Sequence, residues 1–170
     1  MIDEYSTLPL NVTIRSLRRE DMEPLEWYGL ETQQRRRMLS AYERYEQGSV
    51  VMLVAEVGGY PVGQVWVDFE RVAGVGFVQA LRVFPFLRGS GLGTQLMAAA
   101  EQTMRERGVR AAELIVVQNN PAARRLYERL GYNLTAEETR DWSYTDEQGT
   151  YHHHVADVWL MRKELDAING

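Results

Sequence analysis

The chain has no cysteine among its 170 residues. That excludes disulfide staples, zinc–thiolate sites and a thiol nucleophile. Lysine is almost missing as well: of 19 basic residues, every one but Lys163 is arginine. Proline and glycine number only 5 and 14, which excludes a collagen-like chain. No stretch approaches the roughly 18 uninterrupted apolar residues of a membrane helix. Met1 to Pro9 carries Asp3 and Glu4 and no cation, so it lacks the basic start and apolar run of a signal peptide. No internal repeat, low-complexity tract or Pro/Gly/Ser-rich linker divides the chain. The formal charge is −5, so the basic footprint of nucleic-acid binding is missing. Together these absences point to a cytoplasmic protein with neither a nucleic-acid nor a membrane partner.

What is present suits a folded globular protein: 45% hydrophobic and 25% charged residues. The length predicts one domain over residues 1–170, with a core from about residue 10 to 165. Alternation predicts a strand over 10–17. Helical spacing then predicts one helix over 18–30 and a second over 31–47. The second has Met38, Ala41, Tyr42 and Tyr45 inward, Arg35 to Arg37 near its start and Gly48 at its end. Apolar strands at 50–57 and 62–70 flank the turn Gly58-Gly59-Tyr60-Pro61. A strand over 77–83 leads into a glycine-rich turn and a helix over 92–107. A strand at 111–117, a helix at 120–130 and strands at 132–144 and 151–162 complete the chain, the last two joined by the turn Asp146-Glu147-Gln148-Gly149. The order is β-α-α-β-β-β-α-β-α-β-β. It predicts an α/β fold with a mixed sheet of about seven strands and about four helices on both faces.

The turn Arg88-Gly89-Ser90-Gly91-Leu92-Gly93-Thr94 carries the chemistry most plainly. Backbone N–H groups at the start of a helix lack intrahelical partners, the helix dipole adds positive potential, and glycine lets an anion approach closely. A phosphate or pyrophosphate is the natural occupant. A bare glycine-rich connection is the plain alternative. A Walker A loop is disfavoured, because Gly93 is followed by Thr94 with no intervening Lys. A dinucleotide fingerprint is disfavoured too: the spacing is G-x-G-x-G, and Glu113 opens the next strand where that motif wants an acid at its end.

With the strand before it and the helix after it, Arg88 to Gly93 resembles the R/Q-x-x-G-x-G/A signature of the GNAT superfamily of acyl-CoA-dependent N-acetyltransferases. The segment from Asn120 through Tyr127 and Gly131 to Tyr132 is similar to that family's second motif, N-x-x-A-x-x-L-Y-x-x-x-G-F/Y. Both motifs stand in the family's order, and the element order follows the family's fold over nearly the whole chain. The resemblance implies an acyltransferase that passes an acetyl group from acetyl-CoA to a primary amine, by direct attack in a ternary complex and without a metal. It implies that the backbone of Leu81, Arg82 and Val83 pairs with the pantetheine arm, with the Val83 amide polarising the thioester carbonyl. It implies further that the amides of Arg88, Gly89, Ser90, Gly91, Leu92, Gly93 and Thr94 hold the pyrophosphate, that Asn120 bonds the pantetheine region, and that Tyr127 protonates the departing thiolate. Homodimers are common in the family. Asn120 is also a good helix N-cap before Pro121, and Tyr127 shares a helix face with Leu130 as core aromatics do.

Where some members carry a catalytic Glu, this chain has Ile115 and Gln79. Asp68, Glu70, Glu113, Asp141 and the histidines remain as candidate bases. His152-His153-His154 invites a metal reading, yet in a strand only His152 and His154 share a face, too few for a zinc site. Residues 133–160 hold Glu137, Glu138, Asp141, Asp146, Glu147 and Asp157 against Arg140 alone, interleaved with Trp142, Tyr144, Tyr151 and Trp159. An acidic, aromatic cleft built there would suit a small cationic amine. Other acceptors that fit are a protein N-terminus or a lysine. A non-catalytic acyl-CoA-binding module is the alternative of a different kind.

Overall fold

A computed structural model describes residues 9–146 and 148–166. The N-terminal stretch Met1 to Leu8 and the turn residue Glu147 lie outside the described residues. One seven-stranded sheet organises the rest. Its strands are β1 (Val12–Ser16), β2 (Val50–Val57), β3 (Tyr60–Val72), β4 (Val75–Val83), β5 (Ala111–Val117), β6 (Asn133–Thr145) and β7 (Tyr151–Glu164), in the spatial order β1-β2-β3-β4-β5-β7-β6. β4 and β5 are parallel, and every other neighbouring pair is antiparallel. The α/β class and mixed sheet expected from the element order are therefore present.

Helices α1 (Arg35–Glu46), α2 (Leu92–Glu106) and α3 (Pro121–Arg129) cover the sheet. α2 buries Leu92, Leu96, Met97, Ala100 and Met104, residues three or four apart, so one stripe of the helix faces the sheet. It packs on Val51, Leu53, Val65, Val67 and Val78. The opposite face of the sheet buries Val50, Met52, Val54 and Trp66 under Met38 and Ala41 of α1. β2 is thus apolar at successive positions because both of its faces are covered.

The helix expected over 18–30 takes another form. The chain there makes short 3-10 turns at Arg19–Asp21 and Pro24–Glu26. Three features stop a helix. The Asp21 carboxylate is held by the Arg18 amide at 2.7 Å and by the Arg15 guanidinium at 2.6 and 2.8 Å. Pro24 offers no amide to a helical ladder. Trp27 and Tyr28 adopt φ of 45° and 59°. That left-handed backbone turns Trp27 inward, where its ring is fully buried and its Nε1 donates to the Pro61 carbonyl at 3.0 Å. Burying so large an aromatic outweighs the propensity of a short segment. The first hairpin also differs by two residues: Gly58 and Gly59 alone make the turn, with φ of 58° and 84°, and Tyr60 already belongs to β3.

Candidate functional site

β4 and β5 pair only through Val75–Ala111, Gly76–Ala112 and Phe77–Glu113. Beyond those pairs the strands separate, and the gap is a cleft of about 440 Å³ lined by residues of both strands, with Tyr127 of α3 and Arg37 of α1 at its sides. Two causes meet here. α2 starts just after β4 and must pass over the sheet, and β4 is bent by a bulge. Gln64 faces Arg82 while Trp66 faces Gln79, so Val65 opposes both Ala80 and Leu81. Ala80 absorbs the extra residue at φ 54°.

The bulge decides which backbone groups face the gap. The Phe84 amide bonds the Val62 carbonyl of β3 at 2.8 Å. By antiparallel alternation the backbone of Arg82 also faces β3, and the N–H and C=O groups of Leu81 and Val83 face the open side. Their side chains pack on the α2 face, whereas the Arg82 side chain lies on the α1 face, opposite Gln64. Leu81 and Arg82 line the cleft and Val83 does not, so of the two outward amides only that of Leu81 belongs to a cleft-lining residue.

The glycine-rich turn follows at the end of β4. Gly89 and Gly91 have φ of 77° and 87°, a backbone that other residues rarely adopt. The first amide of α2 to find an intrahelical carbonyl is that of Gln95, bonded to Gly91 O at 3.1 Å. The amides of Leu92, Gly93 and Thr94 precede it, and the N-cap, Gly91, has no side chain to satisfy them. Arg88, Gly89, Ser90 and Gly91 are exposed. A Cβ on Gly93 would stand 3.7 Å from Leu126 and 4.0 Å from Val83, so this helix start adjoins both the end of β4 and α3.

Asn120 is the N-cap of α3: its Oδ1 accepts from the Ala123 amide at 3.1 Å, and Pro121 follows at the first helical position. It is exposed and does not line the cleft. Asn120→Ala is expected to cost about 1 kcal/mol of stability and about 2–4 °C in Tm, with Asn120→Asp restoring both, as thermal denaturation would show. Tyr127 does line the cleft. Its ring meets Tyr132 edge-on, with centroids 5.9 Å apart, and burial pushes its phenol pKa up to about 12. The phenol is therefore a neutral donor at every physiological pH.

The candidate bases lie elsewhere. Asp68 accepts from Arg44 at 2.7 and 2.9 Å. Burial pushes its pKa up, but Arg44 and two backbone amides hold it below the usual carboxylate range. Glu70 is exposed beside the same arginine, and Glu113 pairs with Arg162 at 2.9 Å. Asp141 is exposed on β6, 3.6 Å from His153. None of them lines the cleft.

The acidic, aromatic segment does not line it either, although its end meets α1, where Arg36 donates to the Thr145 carbonyl at 2.6 Å. β5 ends opposite Val158, so β6 and β7 run on alone as a two-stranded arm from the Thr139–Asp157 pair to the Thr145–Tyr151 pair. Tyr144 stacks on His152 at 4.8 Å and Trp142 on His154 at 5.5 Å along one face of the arm. His152 and His154 do share that face, and among the described residues no three His, Asp or Glu side chains come together as metal ligands. The arm's carboxylates pair locally, Glu138 with Arg140 and Asp146 with His152, both at 2.8 Å. No carboxylate of the arm lines the cleft. Three arginines line the cleft instead, Arg37, Arg71 and Arg82. Sequence reasoning noticed Arg37 only as part of a basic helix start, and it passed over Arg71.

The comparisons agree with this geometry. Residues 13–132 match the family model described as the acetyltransferase (GNAT) family. An N-acetyltransferase of Archaeoglobus fulgidus, itself uncharacterised, is 42% identical over 82 residues, 45% of this chain and 55% of that protein. The chain spans about half or less of the length of the curated relatives it matches. Among solved structures, the ribosomal-protein-S18-alanine N-acetyltransferase of Escherichia coli superposes with a TM-score of 0.71 at 22% identity, covering 94% of this chain and 97% of that one. The yncA protein of Salmonella typhimurium, solved with acetyl-CoA, superposes with the same TM-score of 0.71 at 21% identity, covering 94% and 97%. The chain belongs to the GNAT acetyltransferase family.

Proposed function

We propose that the chain is a single cytoplasmic acetyltransferase domain that moves an acetyl group from acetyl-CoA to a primary amine within a ternary complex. One observation carries this reading: a separated pair of parallel strands holds a neutral, partly buried tyrosine beside a helix start whose amides are open to an anion. The residues present fit acetyl-CoA. The uncapped amides of Leu92, Gly93 and Thr94, with those of Gly89 and Gly91 before them, suit its pyrophosphate, whereas the Arg88 and Ser90 amides donate to the Pro85 and Leu87 carbonyls at 3.4 and 3.3 Å and are not open to it. The outward backbone of Leu81 and Val83 suits an extended amide arm laid along β4. Among the described residues the outer edge of β6 is without a partner strand, which supports a homodimer.

When bound, acetyl-CoA would supply an acetyl group activated as a thioester, open to attack by a neutral amine, with CoA as the thiol leaving group. The protein's own groups do the rest. The Leu81 amide donates to the acyl oxygen. The Tyr127 hydroxyl gives its proton to the departing sulfur and regains one from solvent. Neither carboxylate nor imidazole lines the cleft among the described residues, so the amine's protons leave through water. The rising limb of kcat/KM against pH should then follow the acceptor amine's own pKa, and no falling limb should appear below pH ~10, because Tyr127 stays protonated. Profiles for two acceptors of different amine pKa check this: displaced midpoints support it, and a shared midpoint near neutrality would mean a protein base.

Thiol release from acetyl-CoA across a panel of small amines, lysine peptides and peptide N-termini tests the function. Turnover on one class is expected. Tight acetyl-CoA binding with no turnover would make the chain a binding module, and no binding would overturn the assignment of both motifs.

A further inference from the structure

We propose that the α1 side of the cleft is an anion subsite in which Arg37, Arg71 and Arg82 hold a carboxylate or phosphate of the acceptor, so that the acceptor is a small amine bearing an anionic group. The inference rests on the acetyltransferase reading for the word acceptor. The arginine cluster itself is independent of that reading.

The three guanidinium groups come from different elements, α1, the far end of β3 and the bulged part of β4, and they line one cleft. Each is held by its flat face or its stem. Arg37 lies over the Trp66 ring at 5.5 Å and donates to Gln79 Oε1 at 3.1 Å. Arg71 lies over Phe77 at 3.8 Å. These contacts orient the groups. Among the described residues neither Arg37 nor Arg71 has a carboxylate within ion-pair distance. Arg82 approaches Glu31 at 3.5 Å, while its Nη1 is buried without a hydrogen-bond partner. Neighbouring carboxylates are engaged elsewhere: Asp68 by Arg44, Glu113 by Arg162 and Glu138 by Arg140.

Burial disfavours the charged form of all three guanidinium groups; Arg71 opposes Arg37, Arg140 opposes Arg71 while Asp68, Glu113 and Glu138 favour it, and Glu31 favours Arg82 while Arg37 opposes it. Three cations gathered at one cleft, with Glu31 beside Arg82 and the other neighbouring carboxylates paired to other arginines, are complementary to an anion entering from outside. The pyrophosphate of acetyl-CoA does not answer them. Its cradle is the start of α2, on the other face of the sheet, whereas Phe77, Gln79 and Arg82 stand opposite Asp68, Trp66 and Gln64 on the α1 face. An amine arriving from the α1 side meets the arginines first and the separated strands next. Anchoring its acidic group on the guanidinium forks leaves the amino group pointing towards Tyr127 and the thioester position.

Two measurements separate this subsite from the transferase assignment. The first uses matched acceptors: amino acids against their carboxamides, with a polyamine as the cationic control. The carboxylate forms are expected to be preferred by at least about tenfold in kcat/KM, and Arg71→Gln or Arg82→Gln to remove the preference mainly through KM. The second needs no turnover. With the protein saturated by CoA, inorganic phosphate is titrated against the fluorescence of Trp66 beneath Arg37. Saturable binding that is lost in both Gln variants supports the subsite, even if no amine is acetylated and the transferase reading fails. Turnover of polyamines equal to or better than that of amino acids, or phosphate binding that is absent or indifferent to the substitutions, overturns it while leaving the transferase reading intact.

Discussion

Tyr127→Phe is expected to lower kcat by about a hundredfold while leaving the affinity for acetyl-CoA and the fold unchanged. The substitution removes one oxygen from a ring whose packing against Tyr132 does not depend on it. No described residue is left with a broken hydrogen bond to that hydroxyl, so Tm should stay within about 2 °C. What is lost is a proton donor at the one position where α3 presents a side chain to the separated strands. A positioned acid contributes about 10²–10⁴-fold, and the lower figure fits a thiolate, which departs without help better than an alkoxide does. Because the bond to sulfur forms only as the C–S bond breaks, kcat and kcat/KM should fall together. The elevated pKa fixes the sign of the pH effect. A phenol with a pKa of about 12 is protonated across the working range, so the wild-type protein should lose no activity through this group between pH 6 and 10. Single-turnover thiol release from wild type and variant measures the effect. Equal rates would remove the acid from Tyr127 and leave it a core aromatic.

Which parts of this site were legible in the sequence follows from where each signal comes from. α2 and α3 were readable because their apolar spacing, glycine stops and the Asn120-Pro121 start are local. Tyr127 was readable through its place in the second motif. The segment after β1 was not: its helical spacing is real, but Trp27 is drawn inward by β3, and Pro24 and the left-handed pair Trp27 and Tyr28 follow that demand. The bulge was silent, since Ala80 carries no turn signal and its φ of 54° is imposed by the strand on either side. That one residue sets the faces of Gln79, Leu81 and Arg82, and with them the cleft. The lining of the cleft is not legible in composition for a related reason. Composition locates carboxylates along the chain but says nothing of where a strand outruns its neighbour. β6 and β7 extend past β5, and their acids leave with them. Arg37 and Arg71 converge only because a helix and a hairpin end meet above β4. Nothing in their spacing of 34 positions announces it.

Gly93→Asp should move stability and cofactor affinity in opposite directions. Gly93 is the second residue of α2, with ordinary helical backbone and room for a Cβ, whose nearest neighbours would be 3.7 and 4.0 Å away. A carboxylate at that position faces the positive end of the helix dipole and the amides that Gly91 leaves uncapped. It should stabilise the helix by about 0.3–1 kcal/mol, or about 1–3 °C in Tm. The same carboxylate would occupy the place assigned to the pyrophosphate. At about 5 Å and an effective dielectric of about 20, one added negative charge costs a bound phosphate about 3 kcal/mol, or about a hundredfold in Kd for acetyl-CoA. Gly93→Ala separates charge from bulk: its methyl fits, so affinity should stay within about threefold of wild type. Calorimetric titration of acetyl-CoA and thermal denaturation of the three proteins give both quantities. If Tm and affinity fall together in the Ala variant, the position is too tight for any side chain. If Tm rises in the Asp variant and Kd holds, the pyrophosphate does not sit at this helix start. A rise in Tm beside a hundredfold loss of affinity would mean that the amides left unsatisfied at the start of α2 are kept open for the cofactor at the expense of the helix.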